Sequence, residues 1–111
     1  MTLNDIVLRA LQRAGIYAAN EVPTSADYAI VGDSFTNALA ELSAYRLAAW
    51  TIADTPPEFA DAFIDYTYPV FAPLFGKPVD DPETMRRVAR MRIRELTTLD
   101  HRMSPEPVEF F

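Results

Sequence analysis

The chain has no cysteine among its 111 residues, which excludes disulfides, thiolate metal sites and a cysteine nucleophile. It has one histidine, His101, and only three glycines against nine prolines. That balance suits helices joined by stiff connections better than a sheet with tight hairpins. There is no glycine-rich phosphate loop and no zinc-ligand spacing. No apolar run approaches the ~20 residues that span a bilayer, and the N-terminal residues lack the basic and apolar segments of a signal peptide. The expectation is a protein made and used without secretion. Internal repeats and low-complexity segments are also missing.

Half of the residues are hydrophobic and 23% are charged. This composition supports a packed core, and the length argues for one domain. A core of this size is small, and oligomerisation is a common remedy. The formal charge of -6 repels free duplex DNA on average, although a local basic patch overrides an average.

Four helices are expected. Thr2 caps the first, with Asp5 at its third position, and Leu3, Val7, Ala10, Leu11 and Ala14 form its apolar face. Gly15 ends it, and Ile16 and Tyr17 fold back on the last turn. The second helix, over Thr24–Trp50, is the longest element, with Tyr28, Val31, Phe35, Ala38, Leu39, Leu42, Tyr45 and Ala49 at helical spacing. The other helices are expected to pack along it. Thr55, Pro56 and Glu58 read as cap, first helical residue and capping box of the third helix. Pro69 and Pro73 interrupt it, so a kink or break is expected near Tyr66–Pro69, with a stop at Tyr68 as the alternative. The apolar density of Phe63–Phe75 requires burial. Asp80 or Asp81 caps the fourth helix, Pro82 opens it, and Met85, Val88, Ala89, Ile93 and Leu96 form its stripe. Periodicity stops at Thr97. The fold class is therefore all-α, a four-helix bundle-like domain over residues 1–98 with an extended C-terminal arm over 99–111.

Two stretches stand out as candidate contact sites. Arg86, Arg87, Arg90, Arg92 and Arg94 place five of the ten basic residues within nine positions. They suit phosphate or the acidic side chains of a partner, and the plain alternative is a solvated face with internal pairs such as Glu83–Arg87. The arm carries His101, Arg102, Met103, Pro105, Pro107, Val108, Phe110 and Phe111. Its prolines lower the entropy cost of binding in an extended form, and its phenylalanines are anchors of the kind that dominate interfaces. Asp100 and His101 lack a rigid frame for a catalytic dyad. Asp80, Asp81 and Glu83 read as capping acids before a cation site. Asp61–Asp65 and Asp27–Asp33 read as solvated faces, and Trp50 as a core or interface residue. Neither catalysis, nor a cofactor, nor a bound metal is expected.

The order of these motifs carries a resemblance. A first helix ends L-R-A-L-Q-R-A-G-I (Leu8–Ile16). A long helix ends with Leu42, Tyr45 and Trp50. A P-P-E-F start (Pro56–Phe59) opens an aromatic helix that ends near Gly76, and a basic helix follows. Over roughly residues 3–97 the pattern resembles the head-to-tail connector adaptors of tailed bacteriophages, in the group that includes the P22-type packaged-DNA stabilisation (tail accessory) proteins and the HK97-type adaptors. The chain departs from it at Pro69–Pro73 and in its short tail. The resemblance implies a homo-oligomeric ring, commonly of twelve subunits, mounted on the portal protein at the head–tail junction of the virion. Such subunits are made in the bacterial cytoplasm. The ring extends the DNA channel, retains the packaged genome and offers a platform to a tail or stopper protein. It assigns portal docking to the segment from His101 to Phe111, with Arg86–Arg94 nearby or between subunits. Acids lining such a channel would repel passing phosphates. The competing classes are a small helical regulator that binds through its tail, and a nucleic-acid-binding module using the arginine helix.

Overall fold

Helix ends in this chain are set by the side chains next to them. The structure, a computed structural model, describes residues 1–103. In that range it holds four α-helices and no strand, so the fold is all-α. α1 spans Leu3–Arg13, α2 Ser25–Ala44, α3 Pro57–Phe71 and α4 Pro82–Met103, with a 3-10 turn over Ala72–Phe75. Thr2 accepts from the Asp5 N–H at 3.2 Å and Asp5 accepts from the Thr2 N–H at 3.1 Å, a complete capping box. Thr24 accepts from the Asp27 N–H, while the Asp27 carboxylate accepts from the Tyr17 hydroxyl. Asp81 accepts from both the N–H and the hydroxyl of Thr84.

The start of α3 differs from the sequence expectation. Its N-cap is Pro56, without a side-chain bond, and the helix opens on Pro57. Two prolines in succession fix φ and supply the order that a cap would otherwise give. Thr55 is instead fully buried. Its N–H donates to the Met1 carbonyl at 2.8 Å, and its hydroxyl has no partner among the described residues.

The C-terminal ends share one geometry. Beyond α1, the Ile16 N–H reaches the Leu11 carbonyl and the Gly15 N–H reaches Gln12, with Gly15 at φ 73°. Gly76 does the same after the 3-10 turn, at φ 77°. α2 closes identically through Arg46. The Leu47 N–H donates to Leu42 and the Arg46 N–H to Ser43, both at 2.9 Å, and Arg46 sits at φ 61°. This left-handed residue ends α2 at Ala44, six residues before the expected Trp50, and turns Leu47 into the core. A side chain at that φ is strained. Arg46→Gly should therefore raise the unfolding free energy by about 0.5–1 kcal/mol, after the entropy cost of glycine, read as an upward shift of the urea midpoint.

Two further expectations are corrected. α4, with 22 residues, exceeds the 20 of α2, and it runs to Met103, so residues 99–103 belong to a helix and not to an extended arm. The Thr97 and Thr98 hydroxyls donate back to the carbonyls of Ile93 and Arg94 at 2.8 and 3.0 Å. These bonds accommodate two β-branched residues in a stretch without an apolar repeat. The central element is α3, which packs on α1, α2 and α4. Pro69 does not break it. The helix continues through Pro69 to Phe71, and Pro73 falls in the 3-10 turn. Packing on three sides offsets the ~3 kcal/mol that an internal proline costs.

The core is an aromatic chain along α3. Phe63 meets Phe35 at 5.0 Å and Trp50 at 5.6 Å, Phe35 meets Phe71 at 6.1 Å, and Trp50 lies 4.8 Å from Phe59. Ile6, Val7, Ala10 and Leu11 of α1 close one side. Trp50 is thus half-buried against the core, with its indole N–H enclosed and without a partner among the described residues. Of the apolar density in Phe63–Phe75, Val70 and Leu74 remain exposed.

Candidate functional site

The arginine helix divides by face. Ala89 and Ile93 are its buried centre, and Met85 and Leu96 flank them. Ala89 and Ala62 are small where α3 and α4 meet. Arg86 and Arg90 occupy the shoulder toward α2. The Arg86 guanidinium lies 4.1 Å from the Tyr66 ring centroid, donates to the Tyr66 carbonyl at 3.1 Å and reaches the Glu41 carboxylate at 2.6 Å. The Tyr66 hydroxyl donates to the same carboxylate oxygen at 2.9 Å. Arg90 lies over the Tyr45 ring at 5.1 Å. Arg86 therefore locks α4 to α2 and α3, a role within the fold that the sequence did not disclose.

The electrostatics of this node follow from its partners. Partial burial pushes the Glu41 carboxyl up. The hydrogen bonds from Arg86 and Tyr66, with the charges of Arg86 and Arg90, outweigh that push and hold it below its ordinary 4.5. Burial, and then donation to Glu41, push the Tyr66 phenol above its ordinary 10.0. At the head of α4 the Thr84 hydroxyl and N–H hold Asp81 below its ordinary 3.8, consistent with a cap.

Arg87, Arg92 and Arg94 point outward, and none makes an ion pair among the described residues. The Glu83–Arg87 pair named with the plain alternative is thus not formed, although the three side chains are exposed as that alternative has them. Val88, expected in the buried stripe, is 58% exposed, because the helix is turned to seat Arg86 against Tyr66. Met91 and Leu99 share its exposure. Met91, Arg94, Glu95, Thr98 and Leu99 form one exposed, apolar and charged flank of α4, while Val88 and Arg92 border the cleft between α3 and α4, beside Asp61 and Asp65.

Elsewhere, Asp61 and Asp65 are not merely solvated. Arg9 meets Asp61 at 3.2 Å, and Arg13 meets Asp61 at 3.4 Å and Asp65 at 2.9 Å, a ladder joining α1 to α3. All four side chains are about half exposed, so each pair contributes under about 1 kcal/mol. Asp33 stands exposed on α2.

Of the arm, His101, Arg102 and Met103 have helical backbone, at the end of α4. Pro105, Pro107, Val108, Phe110 and Phe111 lie outside the described residues. Among the described residues no cluster of three metal-ligating side chains occurs, and no helix is long and apolar enough to cross a membrane. No protein-family model matches the chain, and neither a curated protein nor a solved structure is similar to it.

Proposed function

We propose that the chain is a structural, non-catalytic subunit of a bacteriophage head-to-tail connector. It forms a ring of twelve copies that docks on the portal protein and extends the DNA channel. The ring retains packaged DNA, which passes without sequence-specific binding, and presents a platform to a tail or stopper protein within the virion. The arrangement at the end of α4 carries this reading. The Thr97 hydroxyl, shared between the carbonyls of Ile93 and Leu47, lies 3.2 Å from the latter, and Thr97 lines one groove with Pro56, before the first residue of α3. Residues 98–103 continue past that point for about 9 Å at 1.5 Å per residue. The helix thus carries the backbone of His101, Arg102 and Met103 past Thr97, and the proposal assigns portal docking to these three with Pro105, Pro107, Val108, Phe110 and Phe111. The outward arginines Arg87, Arg92 and Arg94 sit on the same helix. With Arg86 and Arg90 engaged internally, fewer cations remain for the nucleic-acid reading.

The test uses portal rings from the same genome and duplex DNA, imaged by negative stain. The full chain should add a layer to the portal. A version ending at Met103, which keeps all four helices, should lose that layer while its circular dichroism is unchanged. Salt-sensitive DNA binding without portal binding would overturn the adaptor reading in favour of the arginine helix as a nucleic-acid contact.

A further inference from the structure

We propose that the outward flank of α4 in one copy of this chain binds the outward face of α2 in a second copy, head to tail. Val88, Met91 and Leu99 are 58%, 52% and 51% exposed. Their spacing of three and eight residues puts them on one side of the helix, among arginines that make no internal pair. Large apolar side chains aligned in this way on a surface mark a contact.

The complementary face is on α2. α1 and α3 cover only one side of this helix. Its open side shows Ala26, Ala29, Ile30, Asp33, Asn37 and Ala40, with Ile30 41% exposed, Asp33 among them and the exposed Glu41, which Arg86 engages, at its edge. Three alanines and an isoleucine over about four turns leave an apolar strip on that side.

Charge identifies the occupant as a second copy. Residues 1–81 hold eleven acidic and four basic side chains, a net of -7, while Pro82–Met103 holds three acidic and six basic, a net of +3. Arg86 and Arg90 are engaged within the fold, so the exposed Arg87, Arg92 and Arg94 carry the positive charge of the outward flank, which is complementary to the acidic body that carries α2. The two faces lie on different helices, so the contact is heterologous. It propagates to a closed ring or an open chain and does not stop at a two-fold dimer. This deepens the ring reading and rests on it for closure alone; the contact itself needs no portal.

Two variants of the full chain test it. Val88→Arg with Met91→Arg removes the apolar part of the α4 flank. Ala29→Arg with Asp33→Arg makes the α2 face cationic. All four positions are exposed, so circular dichroism should match the parent, and the two altered faces repel each other. In analytical ultracentrifugation up to about 1 mM the parent should self-associate, with affinity falling at least about tenfold between low and high salt. Each variant alone should be monomeric. Their equal mixture should give a one-to-one dimer and nothing larger, because one intact face of each remains. A parent that stays monomeric, variants that assemble like the parent, or a mixture that stays monomeric would each overturn the proposal. A portal layer formed by the parent alongside a monomeric mixture would retain the adaptor and reject these faces. A mixed dimer without any portal layer would do the reverse.

Discussion

Phe63→Ala should lower the unfolding free energy by about 3–5 kcal/mol, a large share of the roughly 5–15 kcal/mol that such a chain holds. Phe63 is fully buried and lies edge-on to Phe35 and to Trp50. Among the described residues it is the one ring that joins α2, through Phe35, to the Trp50 connector. The void left by its removal is lined by rings with other neighbours to keep: Phe35 is held by Phe71, and Trp50 by Phe59. The cavity therefore cannot collapse, and the loss lies at the upper end of the range for large-to-small substitutions. Leu74→Ala, at a side chain 65% exposed on the 3-10 turn, should stay within about 0.5 kcal/mol. Urea titrations followed by circular dichroism and by Trp50 fluorescence measure both. A Phe63→Ala shift below about 1 kcal/mol at unchanged slope would mean that the aromatic chain is not packed as described.

What the sequence made legible is what a few neighbouring residues decide. The Thr2–Asp5 box, the Gly15 stop and the Pro82 start, with Asp81 as one of its two candidate caps, each involve residues within five positions, and the structure has all of them. Arg46 ends α2 by the same bonds as Gly15, but an arginine carries no local sign that it will adopt a positive φ, so α2 was read too long. Thr55 had the residue type and spacing of a cap, yet it is buried against Met1, and only tertiary packing puts it there. Pro69 reads as a break because its cost is local, whereas the contacts that offset it come from three other helices. The candidate site failed in the same way. Five arginines in nine positions look alike on paper. They separate into a fold-locking pair and an outward set only once α4 crosses the end of α2 and finds Glu41 and Tyr45 there.

Arg86→Ala should cost about 2 kcal/mol, against under about 0.5 kcal/mol for Arg87→Ala one position away. The first removes the stack on Tyr66, the donor to the Tyr66 carbonyl and the partner of Glu41. The second removes an exposed side chain without an ion pair. Arg86→Lys should recover little, because an ammonium cannot stack and fork at once. Acidification provides an independent reading. The folded pKa of Glu41 is depressed, so its contribution is present above the unfolded value and is lost as pH falls through the folded one. The parent should therefore lose a small increment below about pH 4.5, a fraction of a kcal/mol because Glu41 is half exposed. Arg86→Ala should show a smaller increment, since only the Tyr66 bond and the Arg90 charge then hold Glu41 ionised. Tyr66 acts at the other limit: its raised pKa favours the neutral phenol, and stability falls as pH rises past 10.0. Parent and Arg86→Ala curves running parallel from neutral to acid would show that Arg86 and Glu41 are not coupled. The comparison also separates the two sets of arginines by function. Loss of Arg86 should weaken self-association only as far as it loosens α4. Loss of Arg92 and Arg94 should weaken self-association and leave the urea midpoint unchanged.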